Sequence, residues 1–275
     1  MDITTQDVAA IRRHPRFRAA VEAYAADNLA GYRARPVIER WMVSDMGRSS
    51  LSGSVSVLDA LGRLTPAALM ASRPVAGGEV SRGRARLYLK RAIANELILA
   101  PPGPLGPDTG LAASPRFRET MRRVLRITLE AAASLSPAVA PALERIGEDA
   151  FYQRVAGRLG QIVVERADLF PVDRPLWLFH GRDGGGRMLE DLIARQRPVR
   201  QRLLEDCTLT HSALARVSLC SRAHVIQLLA DGEAQGLLRR DGRTVVVAPE
   251  LSDDAEQFYA AIFGATATAA VAALA

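Results

Sequence analysis

The chain has 275 residues, 48% of them apolar and only 5% aromatic, a composition rich in Ala and Leu that suits a helical protein large enough for two cores. Its 36 Lys and Arg against 30 Asp and Glu give a formal charge of +6, and Lys90 is the sole lysine. That excess favours a polyanionic partner, nucleic acid before a membrane, since no sustained basic amphipathic helix or lipidation motif appears.

The start, Met1-Asp2-Ile3-Thr4, has no charged-then-apolar secretory pattern. Phe17, Val21, Tyr24, Ala25 and Leu29 set a helical period over 15–43, and Pro36 interrupts or restarts the helix. Residues 47–56 read as a polar Ser/Gly connector, and 57–64 as a short apolar helix. Thr65-Pro66 combines an N-cap with proline at the first helical position. Residues 73–78 read as a turn. Ser81 then caps a helix from Arg82 to about Leu97 that buries Ala85, Tyr88, Leu89 and Ala92. The Pro- and Gly-rich stretch 101–110 is either a loose wing or the boundary between two halves.

A second half begins near Ser114, with helical spacing through Phe117, Met121, Val124, Leu125 and Leu129. Pro137 and Pro141 punctuate it, and 151–164 is amphipathic. Residues 170–186 read as irregular, with Trp177, His180 and a flexible Gly184-Gly185-Gly186; 188–204 is helical apart from a break near Pro198. A short helix (210–216), a turn (217–220) and a helix (221–235) follow. Residues 237–248 alternate around Asp241-Gly242 as a hairpin. Ser252-Asp253-Asp254 reads as the cap of a final helix. The tail 260–275 is too short and too rich in Ala, Thr and Gly for a membrane span, and is expected to pack on the N-terminal helices of both halves.

One pattern occurs twice. Leu64-Thr65, Ala68-Leu69, Ser81-Arg82 and Leu97-Ile98 recur as Leu209-Thr210, Ala213-Leu214, Ser221-Arg222 and Leu237-Leu238, with the same spacing from Ser-Arg to the closing apolar pair. Upstream of each stands one string, Pro15-Arg16-Phe17-Arg18 and Pro115-Arg116-Phe117-Arg118. The longer interval in the second copy suggests an insertion around 145–190. The division expected is 1–113 and 114–275, with the final helix in the second half.

On a helix from Arg222, the residues Val225, Leu228, Leu229 and Gly232 share the packing face, leaving Ala223, His224 and Gln227 outward and Arg222 at the edge. Gln suits adenine and Arg suits guanine in a major groove, while the Ser221 hydroxyl at a helix N-terminus suits a phosphate. Gly236 stops the helix, and Arg239, Arg240 and Arg243 crowd the hairpin tip. The string from Ser221 through Gln227 to Gly236-Leu237-Leu238 and its Arg-rich Asp-Gly wing resembles the MarR-like winged helix-turn-helix transcriptional regulators. The resemblance implies dimers in which each protomer supplies one winged helix. With two copies in one chain it implies a mainly α protein with small β-hairpin wings, its tandem winged-helix domains in a pseudo-twofold arrangement. In the first copy Ser81 is the cap, Arg82, Arg84, Lys90 and Arg91 face outward, and Arg86 flanks them. Basic residues dominate that helix, whereas the second copy carries its charge in the wing. The first copy is therefore expected to hold phosphates, and the second to read bases.

The function expected is sequence-specific double-stranded DNA binding by a cytoplasmic, nucleoid-associated transcription regulator, with RNA polymerase or another regulator as further partner. The alternatives are a tandem winged-helix protein-interaction scaffold and a replication initiator. Enzyme and cofactor signals are poor. His14, His180, His211 and His224 lack metal-ligand spacing, and 181–187 lacks the Gly-Lys-Ser/Thr ending of a phosphate loop. Cys207 and Cys220 read as free thiols of a reducing compartment. Trp177, Phe179 and His180 line either a small-molecule effector pocket or ordinary core.

Overall fold

The computed structural model describes residues 7–72, 80–171, 173–195 and 202–275. The turn expected at 73–78 and the break near Pro198 lie outside the described residues. The fold is 69% helix and 5% strand, with two small antiparallel sheets.

Helices α1 (Val8–Arg13), α2 (Phe17–Ala34), α3 (Val37–Met42), α4 (Met46–Ala60), α5 (Pro66–Ala71) and α6 (Arg82–Ala94) lead to strands β1 (Ile98–Leu99) and β2 (Ala112–Ala113). Then come α7 (Pro115–Leu135), α8 (Ala140–Arg145), α9 (Asp149–Glu165), α10 (Trp177–His180) and α11 (Gly185–Ala194). Strand β3 (Cys207–Thr208), α12 (His211–Ser218), α13 (Arg222–Ala234), β4 (Leu238–Asp241), β5 (Thr244–Val247) and α14 (Pro249–Leu274) complete the chain.

Side-chain caps set most of the relevant helix starts. Thr65, Ser81, Ser114, Thr210 and Ser221 each accept a hydrogen bond from the backbone N–H three residues on. Residues 47–56 are not a connector but the body of α4, capped by Asp45. Its Ser50, Ser52, Ser54 and Ser56 are buried; Ser56 Oγ donates to the Ser52 carbonyl at 3.1 Å and Ser52 Oγ to the Met42 carbonyl at 3.1 Å. Small side chains let α9 approach closely, and a Cβ on Gly160 would lie 2.3 Å from Val57 Cγ2.

The stretch 101–110 lies within the β1–β2 connection, so it is not a boundary between halves. The Ala67 N–H donates to the Pro107 carbonyl at 2.8 Å, and the Leu111 N–H to the Leu64 carbonyl at 2.9 Å. The final helix begins at Pro249 rather than at Ser252. Ser252 and Asp254 instead accept backbone N–H groups from Leu204 and Leu176, both at 2.9 Å, and Asp254 pairs with Arg174. By length and composition α14 is apolar enough to cross a membrane, longer than the tail expected from sequence, yet 61% of its apolar window is buried inside the bundle.

The most extensive contacts among the long helices obey an exchange rule. α4 packs on α9 and α11 on α2; α2 packs on α7 and α9 on α14; α1 packs on α14 and α8 on α7; and α7 meets α14. Swapping α1, α2, α4 and α7 with α8, α9, α11 and α14 reproduces the same set. The two Pro-Arg-Phe-Arg strings therefore sit in non-equivalent places, at the starts of α2 and α7. The helices at 145–190, expected as an insertion, have counterparts of matching contact pattern in the first part of the chain.

The segments after α6 and α13 match bond for bond. Leu97 donates to Ala92 and Leu237 to Gly232 at 2.9 Å, while Ser114 donates to Leu97 and Ala248 to Leu237 at 3.0 Å. Both helices stop on a left-handed residue, Glu96 (φ 56°) and Gly236 (φ 69°). β1 pairs with β2, and the other sheet has the order β3-β5-β4, with Leu238 opposite Val247 and Cys207 opposite Val245.

Candidate nucleic-acid interface

Helix α6 buries Ala85, Tyr88, Leu89 and Ala92, the face its spacing predicts. On its other side Arg82, Arg86 and Lys90 are exposed and have no ion pair among the described residues. Two predicted contact residues are already engaged. Arg84 turns back to Asp45 at 2.5 Å, and the Arg91 guanidinium lies 4.4 Å from the centre of the Trp41 ring. Ser81 Oγ accepts the Arg84 N–H at 3.2 Å. Leu87 stands among these cations, 61% exposed.

Helix α13 likewise buries Val225, Leu228, Leu229 and Gly232. Arg222, Ala223 and Gln227 are exposed; the Gln227 amide donates to Asp231 at 2.8 Å. Ser221 Oγ accepts the His224 N–H at 3.1 Å, and the His224 ring Nε2 contacts the Asp183 carbonyl at 2.9 Å. At the hairpin tip Gly242 takes a positive φ of 59°. Arg243 is exposed, Arg239 lies 3.8 Å from Asp241, and Arg240 Nε donates to Glu233 at 2.6 Å. That bond holds the Glu233 carboxyl below its usual pKa.

A chain of contacts ties the N-terminal turns of α6 and α13 together. Arg84 and Arg48 share Asp45, which is nearly inaccessible; Arg48 also pairs with Asp183, whose backbone carbonyl meets His224. The glycine run after Asp183 is not a flexible loop. The Gly184 N–H donates to the Ser44 carbonyl at 2.8 Å, and a Cβ there would lie 2.4 Å from Cys220 Sγ. Gly184 also has φ 68°, so position and conformation both require glycine. The Cys220 thiol donates to the Asp183 carbonyl at 3.1 Å, and burial raises its pKa.

Behind this chain α2, α4, α7, α9, α11 and α14 line a cavity of about 260 Å³, whose wall residues are all buried or half-buried. Asn28 and Arg187 donate to the two oxygens of Glu190, at 2.8 and 2.6 Å. Burial raises the Glu190 pKa and lowers that of Arg35, where Arg187 adds repulsion. The Arg35 guanidinium makes no hydrogen bond or ion pair with the described residues, although Arg35 is only 5% exposed. The Tyr259 hydroxyl and His180 Nε2 are also buried without partners among the described residues. Burial, aided by Arg187, pushes the His180 pKa down to about 3, so its ring is neutral near pH 7. Of the predicted aromatics only His180 lines this space. The Trp177 N–H donates to the Pro171 carbonyl at 2.5 Å beside it, and Phe179 packs near Gly232. Sequence reasoning missed Arg35, Arg187 and Glu190. The Arg187/Glu190 spacing on a helix whose Leu189, Leu192 and Ile193 are apolar was the available signal.

No protein-family model, curated protein or solved structure matches this chain. Its own geometry must carry any functional reading.

Proposed function

We propose that the chain is a sequence-specific double-stranded DNA-binding transcription regulator, built as two unequal winged-helix units acting as an intramolecular pseudo-dimer. The units are 7–135 and 136–275, in place of the division at 113/114, because the exchange rule pairs α7 with α14. The observation that carries the reading is the matched pair of Ser-capped helices, α6 and α13, each followed by the same strand-entry hydrogen bonds. Both leave the outer side of the first two turns exposed, where a recognition helix meets a groove. Arg82, Arg86 and Lys90 on one unit, and Arg222, Arg239 and Arg243 on the other, supply cations toward phosphates. The reading places the chain in the cytoplasm on the nucleoid, with RNA polymerase or another regulator as a further partner.

Leu87, Leu219 and Ile226, 61%, 48% and 38% exposed, favour a second reading in which the same faces dock a protein. Fluorescence anisotropy with random and genomic duplexes separates the two. DNA binding gives an affinity that falls steeply with salt, plus discrete protected sites across the genome. No duplex affinity at low salt refutes the regulator and leaves the protein-docking reading.

A further inference from the structure

The cavity among α2, α4, α7, α9, α11 and α14 holds an uncompensated set of polar groups. Its fixed ions are Arg35, Arg187 and Glu190, together with Asp45, which Arg48 and Arg84 already share. Glu190 is taken by Arg187 and Asn28, so the Arg35 guanidinium, which feels Glu39 and Glu190 only at longer range, keeps no hydrogen bond or ion pair among the described residues. A buried cation without a partner is costly, and a buried hydroxyl without one adds to the cost. Tyr259, another lining residue, has such a hydroxyl, and its ring lies 5.5 Å from that of Tyr24. The remaining wall is apolar, formed by Met121, Leu125, Leu159, Val163, Phe258 and Ile262. At about 260 Å³ the space falls just below the roughly 300–1,000 Å³ typical of small-molecule sites.

We infer that this cavity binds one small amphipathic monocarboxylic acid, with its carboxylate received by Arg35 and its hydrocarbon along the apolar wall. A carboxylate meets the guanidinium with charge-assisted bonds and balances its charge, which an alcohol or an amine cannot do. The cavity draws walls from both exchange-related helix sets, α2 with α11 and α9 with α4, so each chain has one such site rather than a symmetric pair.

Calorimetric titration of the full chain, without DNA, tests this with octanoate as the probe and octan-1-ol as the neutral probe of equal length. The expected result is one octanoate per chain, with octanol bound at least about tenfold more weakly. Arg35→Met should weaken octanoate by a similar factor while leaving octanol unchanged. Gly53→Leu is the second variant: Gly53 lines the cavity on α4 and its added Cβ would meet nothing within 4 Å, so leucine fills the space without a clash at the backbone. It should abolish binding of both probes while the helical circular dichroism stays intact. The inference is overturned by absence of heat at millimolar octanoate, by octanol binding as well as octanoate, or by undiminished binding in Gly53→Leu. Because no DNA is present, these outcomes are independent of whether α6 and α13 bind a duplex.

Discussion

Below about pH 6.5 an unfolded chain takes up a proton at His180 that the folded chain refuses, because the buried ring has a pKa of about 3. The unfolded state then binds more protons, so this residue's contribution to stability falls as pH drops from about 6.5 toward 3. Glu190, whose pKa burial raises, acts in the opposite sense, so the residue is isolated by comparison with His180→Phe. The wild type should lose roughly 2–3 kcal/mol relative to that variant between pH 7 and 4.5, measured by urea unfolding at each pH. A constant difference means the ring is hydrated. At the DNA-facing surface, Arg86→Ala and Lys90→Ala should each reduce the slope of log affinity against log salt by about 1. Arg84→Ala should instead lower Tm, since its partner Asp45 is buried. Gln227→Ala should relax base preference by about 1–3 kcal/mol at one position of a selected site. An unchanged salt slope or unchanged selection removes the corresponding contact. Sequence periodicity identified the outward cations, but not that Arg84 and Arg91 fold back, since their acceptors Asp45 and Trp41 lie on earlier elements.

Among the elements, the α4–α9 crossing is the tightest test of packing. Alanine at position 160 gains about 1 kcal/mol of helix propensity over glycine. Against that, its Cβ would overlap Val57 Cγ2 at 2.3 Å, and overpacking costs about 1–3 kcal/mol, so repulsion should win. Gly160→Ala is expected to be destabilising by about 1–2 kcal/mol, and Val57→Ala in the same chain should restore much of the loss. Additive losses in a thermal-melt double-mutant cycle mean that the two helices do not meet there. The same crossing explains why α4 was hard to see in the sequence. Serine and glycine favour caps and turns when their surroundings are unknown, and here they are buried because a neighbouring helix needs small partners. The Ser252-Asp253-Asp254 signal misled for a related reason: Ser252 and Asp254 satisfy distant N–H groups rather than their own helix start. Caps with local acceptors, such as Ser81 and Ser221, were legible because the whole motif lies within four residues.

The repeat was legible only in the part whose pattern is short-range, from the Leu-Thr pair to the strand after the Ser-capped helix. The long helices that exchange with one another carry no matching strings, so the two Pro-Arg-Phe-Arg segments, which start non-equivalent helices, set the expected boundary at 113/114. The contacts argue for a different whole. α4 and α9 belong to different parts of the chain, as do α11 and α2, and α14 packs on α1, α7 and α9 at once. A division before Ser114 would strip α2 and α4 from the helices they bury against, exposing one side of the central bundle. Fragments 1–113 and 114–275, expressed separately, should therefore each lack a cooperative transition, and the intact chain should unfold in one. Calorimetry of the intact chain should give equal van't Hoff and calorimetric enthalpies. Two resolved transitions, or a fragment that melts cooperatively alone, would show that the helix pairings crossing the middle of the chain do not bind the halves into one folding unit. If the single transition holds, α6 and α13 keep one fixed separation through the Arg84–Asp45–Arg48–Asp183–His224 chain, and a bound duplex should show two half-sites at constant spacing. Because the two helices carry different side chains, those half-sites should differ in sequence, and Gln227→Ala should change selection in only one of them.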